Sequence, residues 1–152
     1  MTQINPKTKP LNLVKLCVGV SAVEELQAAV DYRLEQRQLN GKPIEQIHTT
    51  RMTPKRADEL LQGGSLYWVI KGRIQIRQVL LDIRPFVDGE GIKRCDLVLE
   101  PRLIETEFQP RRAFQGWRYL KAEDCPPDMG KGSAKDTLPN FLKSELSELG
   151  LL

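Results

Sequence analysis

Apolar residues recur at helical spacing in the segment that follows Ser21. Ser21 and Glu24 have the form of a capping box, and Asn40-Gly41 is a typical helix stop. The apolar positions between these signals form one stripe: Val23, Leu26, Ala29, Val30 and Leu34. The pattern predicts a long amphipathic helix with this stripe against the core.

A second, shorter helix is predicted from Thr53-Pro54 to Gly63-Gly64. Thr53 would serve as the cap and Pro54 as the first helical residue, while the glycine pair ends the helix. A third amphipathic segment, 139–149, predicts a C-terminal helix.

Short apolar runs bounded by turn residues predict the strands. They lie in 11–18, 44–51, 65–72, 73–86, 94–100, 103–107 and, after a loop, the end of 110–121. The run 65–72 is almost continuously apolar, as expected for a strand covered on both faces. In 73–86, Ile74 and Ile76 alternate with polar residues, which predicts one face that is wet or occupied by a ligand. Lys71-Gly72 and the DGEG sequence at 88–91 predict tight turns.

These elements predict an α+β fold. Because helices and strands do not alternate strictly, a strongly bent mixed or antiparallel sheet, or a small pseudobarrel, is favoured over a doubly wound sheet. We expect a flexible arm over residues 1–10, a single domain over 11–126, and a linker or draped loop with the C-terminal helix over 127–152. That helix either packs on its own domain or docks on a partner or a second copy of the chain.

Composition narrows the class of protein. At 152 residues with 40% hydrophobic and 28% charged positions, the chain fits one folded domain and not a disordered one. Its three cysteines lack CxxC spacing, which favours a reducing cytoplasm over a disulfide framework. One histidine is too few for an ordinary zinc site, so neither a metal nor a cofactor is expected. The longest apolar run is five residues, too short for a membrane helix.

The net charge of +3 hides two basic stretches. Residues 51–77 carry six basic and two acidic side chains, and residues 101–121 carry five and two. Seven of the nine aromatic residues fall between Tyr67 and Tyr119. Cations interleaved with aromatic rings are typical of single-stranded nucleic-acid binding, because cations follow phosphates and rings stack on bases. The alternative is that the rings form the core and the arginines a solvated face.

Two segments hold the strongest candidates, HTTRMTPKR (48–56) and PRRAFQGWRY (110–119). In the first, Arg51 and the helix start at Thr53 would hold an anion, unless Thr53 only caps the helix.

In the second segment, 110–119, Arg111 and Arg112 either make bidentate contacts with phosphate or carboxylate, or pair with Glu105, Glu107 or Asp82. The predicted anion-binding cations are Arg51, Arg73, Arg77, Arg111, Arg112 and Arg118, and the predicted stacking rings are Trp68, Trp117 and Tyr119.

His48 is the only side chain that ordinarily titrates near neutrality. It would act as a base with Cys17 or Ser65 as nucleophile in a hydrolase, but no nucleophile-elbow, HExxH or phosphate-loop motif is present. Its role is left open.

The strings HTTRMTPKRADELLQGGSLYWVIKG (48–72) and PRRAFQGWRYLKAEDCPPD (110–128) resemble a family of short, cytoplasmic, mostly alphaproteobacterial proteins labelled as a domain of unknown function. The resemblance runs from LVKLCVGV (13–20) through CPPD (125–128) and includes the ending 138–152. It implies no activity, substrate or site residue. At the level of the fold, a helix ending in Gly-Gly before two basic and apolar strands is similar to PUA-like domains, which bind RNA or modified bases. The GxKxxxxR-like string of their ASCH-type relatives is not matched after Gly64.

The sequence leads to three hypotheses. The first is a non-enzymatic module that binds RNA or a phosphorylated, nucleotide-like small molecule. The second is a small enzyme that acts on an anionic metabolite, with His48 or an acid as base and the arginines as a clamp. The third is an interaction module that uses the C-terminal helix to bind a partner or form a homo-oligomer. They differ in whether the two basic stretches form one surface.

Overall fold

Seven strands, two α-helices and one short 3-10 helix make up residues 9–129, the part of the chain that the computed structural model describes. In chain order the elements are β1 (Asn12–Leu16), α1 (Val23–Leu39), β2 (Gln46–Thr50), α2 (Ala57–Leu60), β3 (Ser65–Ile70), β4 (Arg73–Val87), β5 (Lys93–Leu99), β6 (Ile104–Pro110), β7 (Trp117–Leu120) and the 3-10 turn Ala122–Asp124. Most of the expected N-terminal arm and the expected C-terminal helix lie outside the described residues.

The strands form one mixed sheet in the order β2-β5-β4-β3-β1-β7, with β6 also paired to β4. Strand β1 runs parallel to β3 and antiparallel to β7. The long β4 pairs with β6 over its first half and with β5 over its second half. The predicted α+β class and the mixed sheet are confirmed. The sheet is not closed into a barrel, because β2 and β7 end it without pairing to each other in the described chain.

Strand β3 lies at the centre of the core, and all six of its residues are buried. On one face of the sheet, Leu66, Trp68 and Ile70 belong to the cluster that includes Leu26 and Val30 of α1. On the other face, Tyr67 and Val69 of β3 belong to a second, smaller cluster together with Val14, Ile74 and Leu120. The prediction of a strand covered on both faces is therefore confirmed, and so is the apolar stripe of α1.

A β-bulge in β4 changes the meaning of its alternating pattern. Val69 pairs with Ile74 and Trp68 pairs with Ile76, so Gln75 is the extra residue of the strand. Its side-chain amide donates a hydrogen bond to the Ile70 carbonyl at 2.8 Å. Ile74 and Ile76 are consequently both fully buried, but in different clusters. Buried residues of β4 alternate with exposed or half-buried ones as predicted, but the bulge turns the two isoleucines to opposite faces of the sheet.

The helix starts also differ from the predicted caps. Helix α1 has Ala22 at its cap position, and the Ser21 N–H and hydroxyl donate to the carboxylate of Glu25, not Glu24. The bonds measure 3.1 Å and 2.8 Å. Helix α2 is a single turn preceded by Arg56, so Thr53 does not cap it. The predicted stop of α1 at Asn40-Gly41 is confirmed.

A buried amide holds β2 against the centre of the sheet. Gln78 is 0% exposed, and its Nε2 donates to Gln46 Oε1 at 2.6 Å and to the Glu100 carbonyl at 3.0 Å. Its Oε1 accepts from Trp68 Nε1 at 2.9 Å. Because a buried polar group without a partner is costly, this network fixes the position of β2.

Close backbone packing at Gly64 gives a test of the fold. A Cβ at this position would lie 2.5 Å from the Leu60 carbonyl oxygen and closer still to that of Leu11. We expect Gly64→Ala to lower the free energy of unfolding by about 3 kcal/mol, since neither backbone oxygen moves easily. In urea denaturation, Gly89→Ala is the matched control, because a Cβ there meets no atom within 4 Å. Equal stability of the two variants would contradict this packing.

Candidate anion-binding site

The two basic segments singled out in the sequence meet in one groove of about 610 Å³. One wall comes from the end of β2 and the loop after it, and the other from the loop before β7 and from β7 itself. Lys15 of β1 lies between them. The lining residues are Lys15, Thr49, Thr50, Arg51, Met52, Gln115, Gly116, Trp117 and Arg118.

Hydrogen bonds from β7 hold the two walls together. Trp117 Nε1 donates to the Met52 carbonyl at 2.9 Å. Two residues on, the Tyr119 hydroxyl accepts the Arg56 N–H at 3.1 Å. The two rings pack edge to face with centroids 5.0 Å apart, and the Arg56 guanidinium lies 5.5 Å from the Tyr119 centroid. Pairing of Lys15 with Trp117 across β1 and β7 then places the lysine in the groove.

The groove is positively charged. Lys15, Arg51 and Arg118 form no ion pair within residues 9–129, and no acidic residue of that range lines the groove. Burial lowers the pKa of Lys15. Arg118 Nη1 donates to the carbonyls of Gln115 and Trp117, so these hydrogen bonds engage backbone oxygens and no carboxylate. A desolvated cation without a carboxylate is electrostatically unsatisfied, so the groove favours an anion.

The two threonines of the groove are already engaged. The Thr49 hydroxyl donates to Asp96 at 2.6 Å, and the Thr50 hydroxyl donates to the Met52 carbonyl at 3.0 Å. They therefore shape the wall, and the positive charge of the groove comes from the three cations.

A row of arginines stacked on phenylalanines continues from the groove, and we call it the basic ridge. Arg118 and Arg111 lie 5.2 Å and 5.7 Å from the Phe114 centroid. The Arg111 N–H donates to the Gly72 carbonyl at 2.8 Å, which ties the ridge to the β3–β4 turn. At that turn Arg73 lies 4.3 Å from the centroid of Phe108, a ring that is 52% exposed. The basic ridge therefore comprises Arg73, Phe108, Arg111, Phe114 and Arg118.

Other predicted site residues are placed differently. Arg77 makes a bidentate ion pair with Asp128 at 2.8 Å and 2.9 Å, and it also donates to the Ser65 hydroxyl, so its charge is neutralised.

Trp68 is 3% exposed and lies in the core, so its ring offers no face to a base. Trp117 is 7% exposed and forms the groove wall. Arg112 is exposed beside the ridge, and Asp82 pairs with Arg84, not with the 110–119 segment.

Sequence reasoning missed three residues of this surface. Lys15 interrupts an apolar strand, which is the one signal that marked it. Phe108 lies beside Arg73 only because β6 pairs with β4, so no local pattern reveals that pair. Phe114 is within four positions of both Arg111 and Arg118, so its proximity to them was visible in the 110–119 segment.

A second, smaller cavity of about 110 Å³ lies beneath α1 and contains His48. The Nε2 atom of His48 is buried with no hydrogen-bond partner in the described part of the chain, and the imidazole packs edge to face with Trp68 at 4.9 Å. Burial, and then the charges of Lys15 and Arg33, lower the pKa of His48 to about 4.

This cavity does not match the active site of the enzyme hypothesis. Neither Arg111 nor Arg112 lines it. Burial raises the pKa of the Cys17 thiol to about 11, so the thiol stays protonated at neutral pH. Ser65 is buried and its hydroxyl accepts from Arg77. Residues 9–129 contain no group of three His, Cys, Asp or Glu side chains arranged to hold a metal ion.

Fold and site together define a small α+β domain with a mixed, open sheet. Its basic groove lies between the loop that follows β2 and the loop that leads into β7. The chain belongs to the DUF1489 family, described as "Protein of unknown function (DUF1489)", whose model matches residues 13–152. Neither a curated protein nor a solved structure matches it. Within residues 9–129 no helix is long and apolar enough to cross a membrane.

The low pKa of His48 predicts acid sensitivity. Between pH 6.5 and about 4 the unfolded chain binds a proton at His48 and the folded chain does not, so stability falls as the pH falls. The loss relative to pH 7 reaches about 3 kcal/mol near pH 4. Urea unfolding of wild type and His48→Gln across this range measures it. We expect the difference between the two proteins to change with pH, and a constant difference would contradict the buried neutral imidazole.

Proposed function

We propose that the groove and the basic ridge bind single-stranded RNA, without catalysis. The observation that carries the proposal is the convergence of Lys15, Arg51 and Arg118, from three separate parts of the sequence, on one groove with no carboxylate among its described lining residues. Cations arranged this way displace the counterions of a phosphate backbone, which supplies most of the affinity for nucleic acids.

The extent of the basic surface favours a strand over a free nucleotide. The ridge carries positive charge from Arg118 through Arg111 to Arg73, beyond the walls of the groove. A mononucleotide has too few phosphates to contact both regions at once, whereas a strand repeats them along its length. A phosphorylated small molecule, which the groove alone suits, is the competing ligand within the same proposal.

The ridge also supports base stacking. RNA bases stack on aromatic rings and on guanidinium planes. Arg73 and Phe108 form such a platform at the β3–β4 turn, where the exposed fraction of Phe108 leaves part of the ring accessible. In this proposal the RNA bases lie over the ridge and the phosphate backbone follows the groove. Trp117 and Tyr119 hold the groove wall in place through their hydrogen bonds.

Two further expectations stay predictions. The analogy with PUA-like domains rests on α2, the Gly63-Gly64 pair and the two strands that follow. The cytoplasmic location rests on the sparse cysteines, which are free in the described chain. Both agree with an RNA-binding role, and neither is needed for it.

Fluorescence polarisation with a labelled single-stranded RNA tests the proposal. We expect binding at low salt, with a log–log salt slope of roughly −0.7 for each phosphate contacted. Arg51→Ala combined with Arg118→Ala should weaken binding about tenfold or more, since each removes a charged contact. The control is Lys42→Ala with Lys93→Ala, which removes the same charge from two exposed lysines outside the groove.

Two results would overturn the proposal. One is no binding at low salt, and the other is equal loss of affinity in the control variant. Competition with a mononucleotide separates the two ligands: full displacement at equal phosphate concentration would assign the groove to a small molecule instead of RNA.

A further inference from the structure

The His48 cavity has a polar end with the features of an anion site. Its polar lining comes from three elements: Lys15 on β1 with Cys17 just after it, Arg33 on α1, and Gln46 and His48 on β2. Gln46 is already paired with Gln78. Lys15 and Arg33 act by charge on both Cys17 and His48, which shows that the two cations stand near the same space.

His48 gives this end a buried ring nitrogen without a hydrogen-bond partner in the described part of the chain. The imidazole is neutral at pH 7, so one of its ring nitrogens carries a hydrogen. Nε2 is buried and meets no hydrogen-bond partner within residues 9–129. A buried polar atom without a partner is costly, and a ligand oxygen would satisfy Nε2 in the tautomer that carries the hydrogen there.

The remaining wall is apolar. It is formed by Val18, Val20, Leu26, Ala29, Val30 and Trp68. The cavity of about 110 Å³ has room for roughly three or four water molecules at about 30 Å³ each, or for one organic molecule of that size. Val18 and Arg33 are exposed, which places the mouth between α1 and the loop after β1.

We propose that this cavity binds a small monocarboxylate with a short aliphatic chain, of the size of acetate or propionate. The carboxylate accepts a hydrogen bond from His48 Nε2 and faces Lys15 and Arg33, while the hydrocarbon end lies against the valines, Leu26 and Ala29. Phosphate fits less well, because its oxygens would meet the apolar wall. This site is separate from the proposed RNA surface, and among residues 9–129 Lys15 is the only lining residue common to both.

The single histidine makes the test direct, since one imidazole signal in the NMR spectrum of the whole chain reports on the cavity. The probe is sodium propionate, titrated against sodium chloride at matched ionic strength. We expect a saturable shift of the His48 Cε1–H signal with propionate only. We also expect a higher His48 pKa when propionate is bound, because a nearby anion stabilises the imidazolium.

Three variants locate the site. Arg33→Gln, at an exposed position, should weaken propionate binding about tenfold, because it removes one charge-assisted contact. Ala29→Leu should abolish binding by filling the cavity without removing a charge. Arg51→Ala with Arg118→Ala should leave binding unchanged, which separates this site from the groove even if the groove binds no RNA.

The proposal is overturned by a propionate shift that does not saturate or that sodium chloride reproduces. It is also overturned if Arg33→Gln binds propionate as tightly as wild type, a result that decides the matter even if Ala29→Leu does not fold. Tighter binding of inorganic phosphate than of propionate would overturn the carboxylate assignment.

Discussion

The hydrogen bond from Trp117 Nε1 to the Met52 carbonyl is the contact on which the groove depends most, since it joins the two walls inside the groove itself. In the part of the chain that the structure describes, the loop after β2 pairs with no strand, so its position is set by what it packs against. Trp117 is almost fully buried, and a buried indole N–H needs an acceptor. Meeting that need at Met52 holds the loop that carries Arg51 against β7, so that Arg51 and Arg118 line the same groove. The basic character of the groove therefore follows from the need of the buried Trp117 N–H for a hydrogen-bond acceptor.

Strand β1 connects this surface to the interior. It lies between β3 and β7, and its parallel pairing with β3 fixes its register against the most buried strand of the sheet. Lys15 is therefore held at the border between the groove and the His48 cavity. Its charge adds to the positive charge of the groove and, after burial, helps to lower the pKa of His48. Lys15 thus contributes positive charge both to the groove and to the His48 cavity.

Local patterns predicted the elements well, because periodicity and turn residues act over short distances. The doubly covered β3, the stripe of α1 and the Lys71-Gly72 turn all follow from such signals. The bulge at Gln75 did not, since its cause is pairing with both β3 and β6. Local patterns also could not separate the arginines that line the groove from an arginine that is paired with a carboxylate. Arg77 is neutralised by Asp128, 51 positions away, a contact that only the fold creates.

The central claim is that the two basic stretches act as one binding surface. Amide chemical-shift mapping of the full chain during titration with a single-stranded RNA tests it most directly. The account predicts that the perturbed amides fall together at Lys15, 49–52 and 115–118 and continue along the basic ridge. Perturbations that are confined to the β4–β5 hairpin, or to only one of the two stretches, would contradict it.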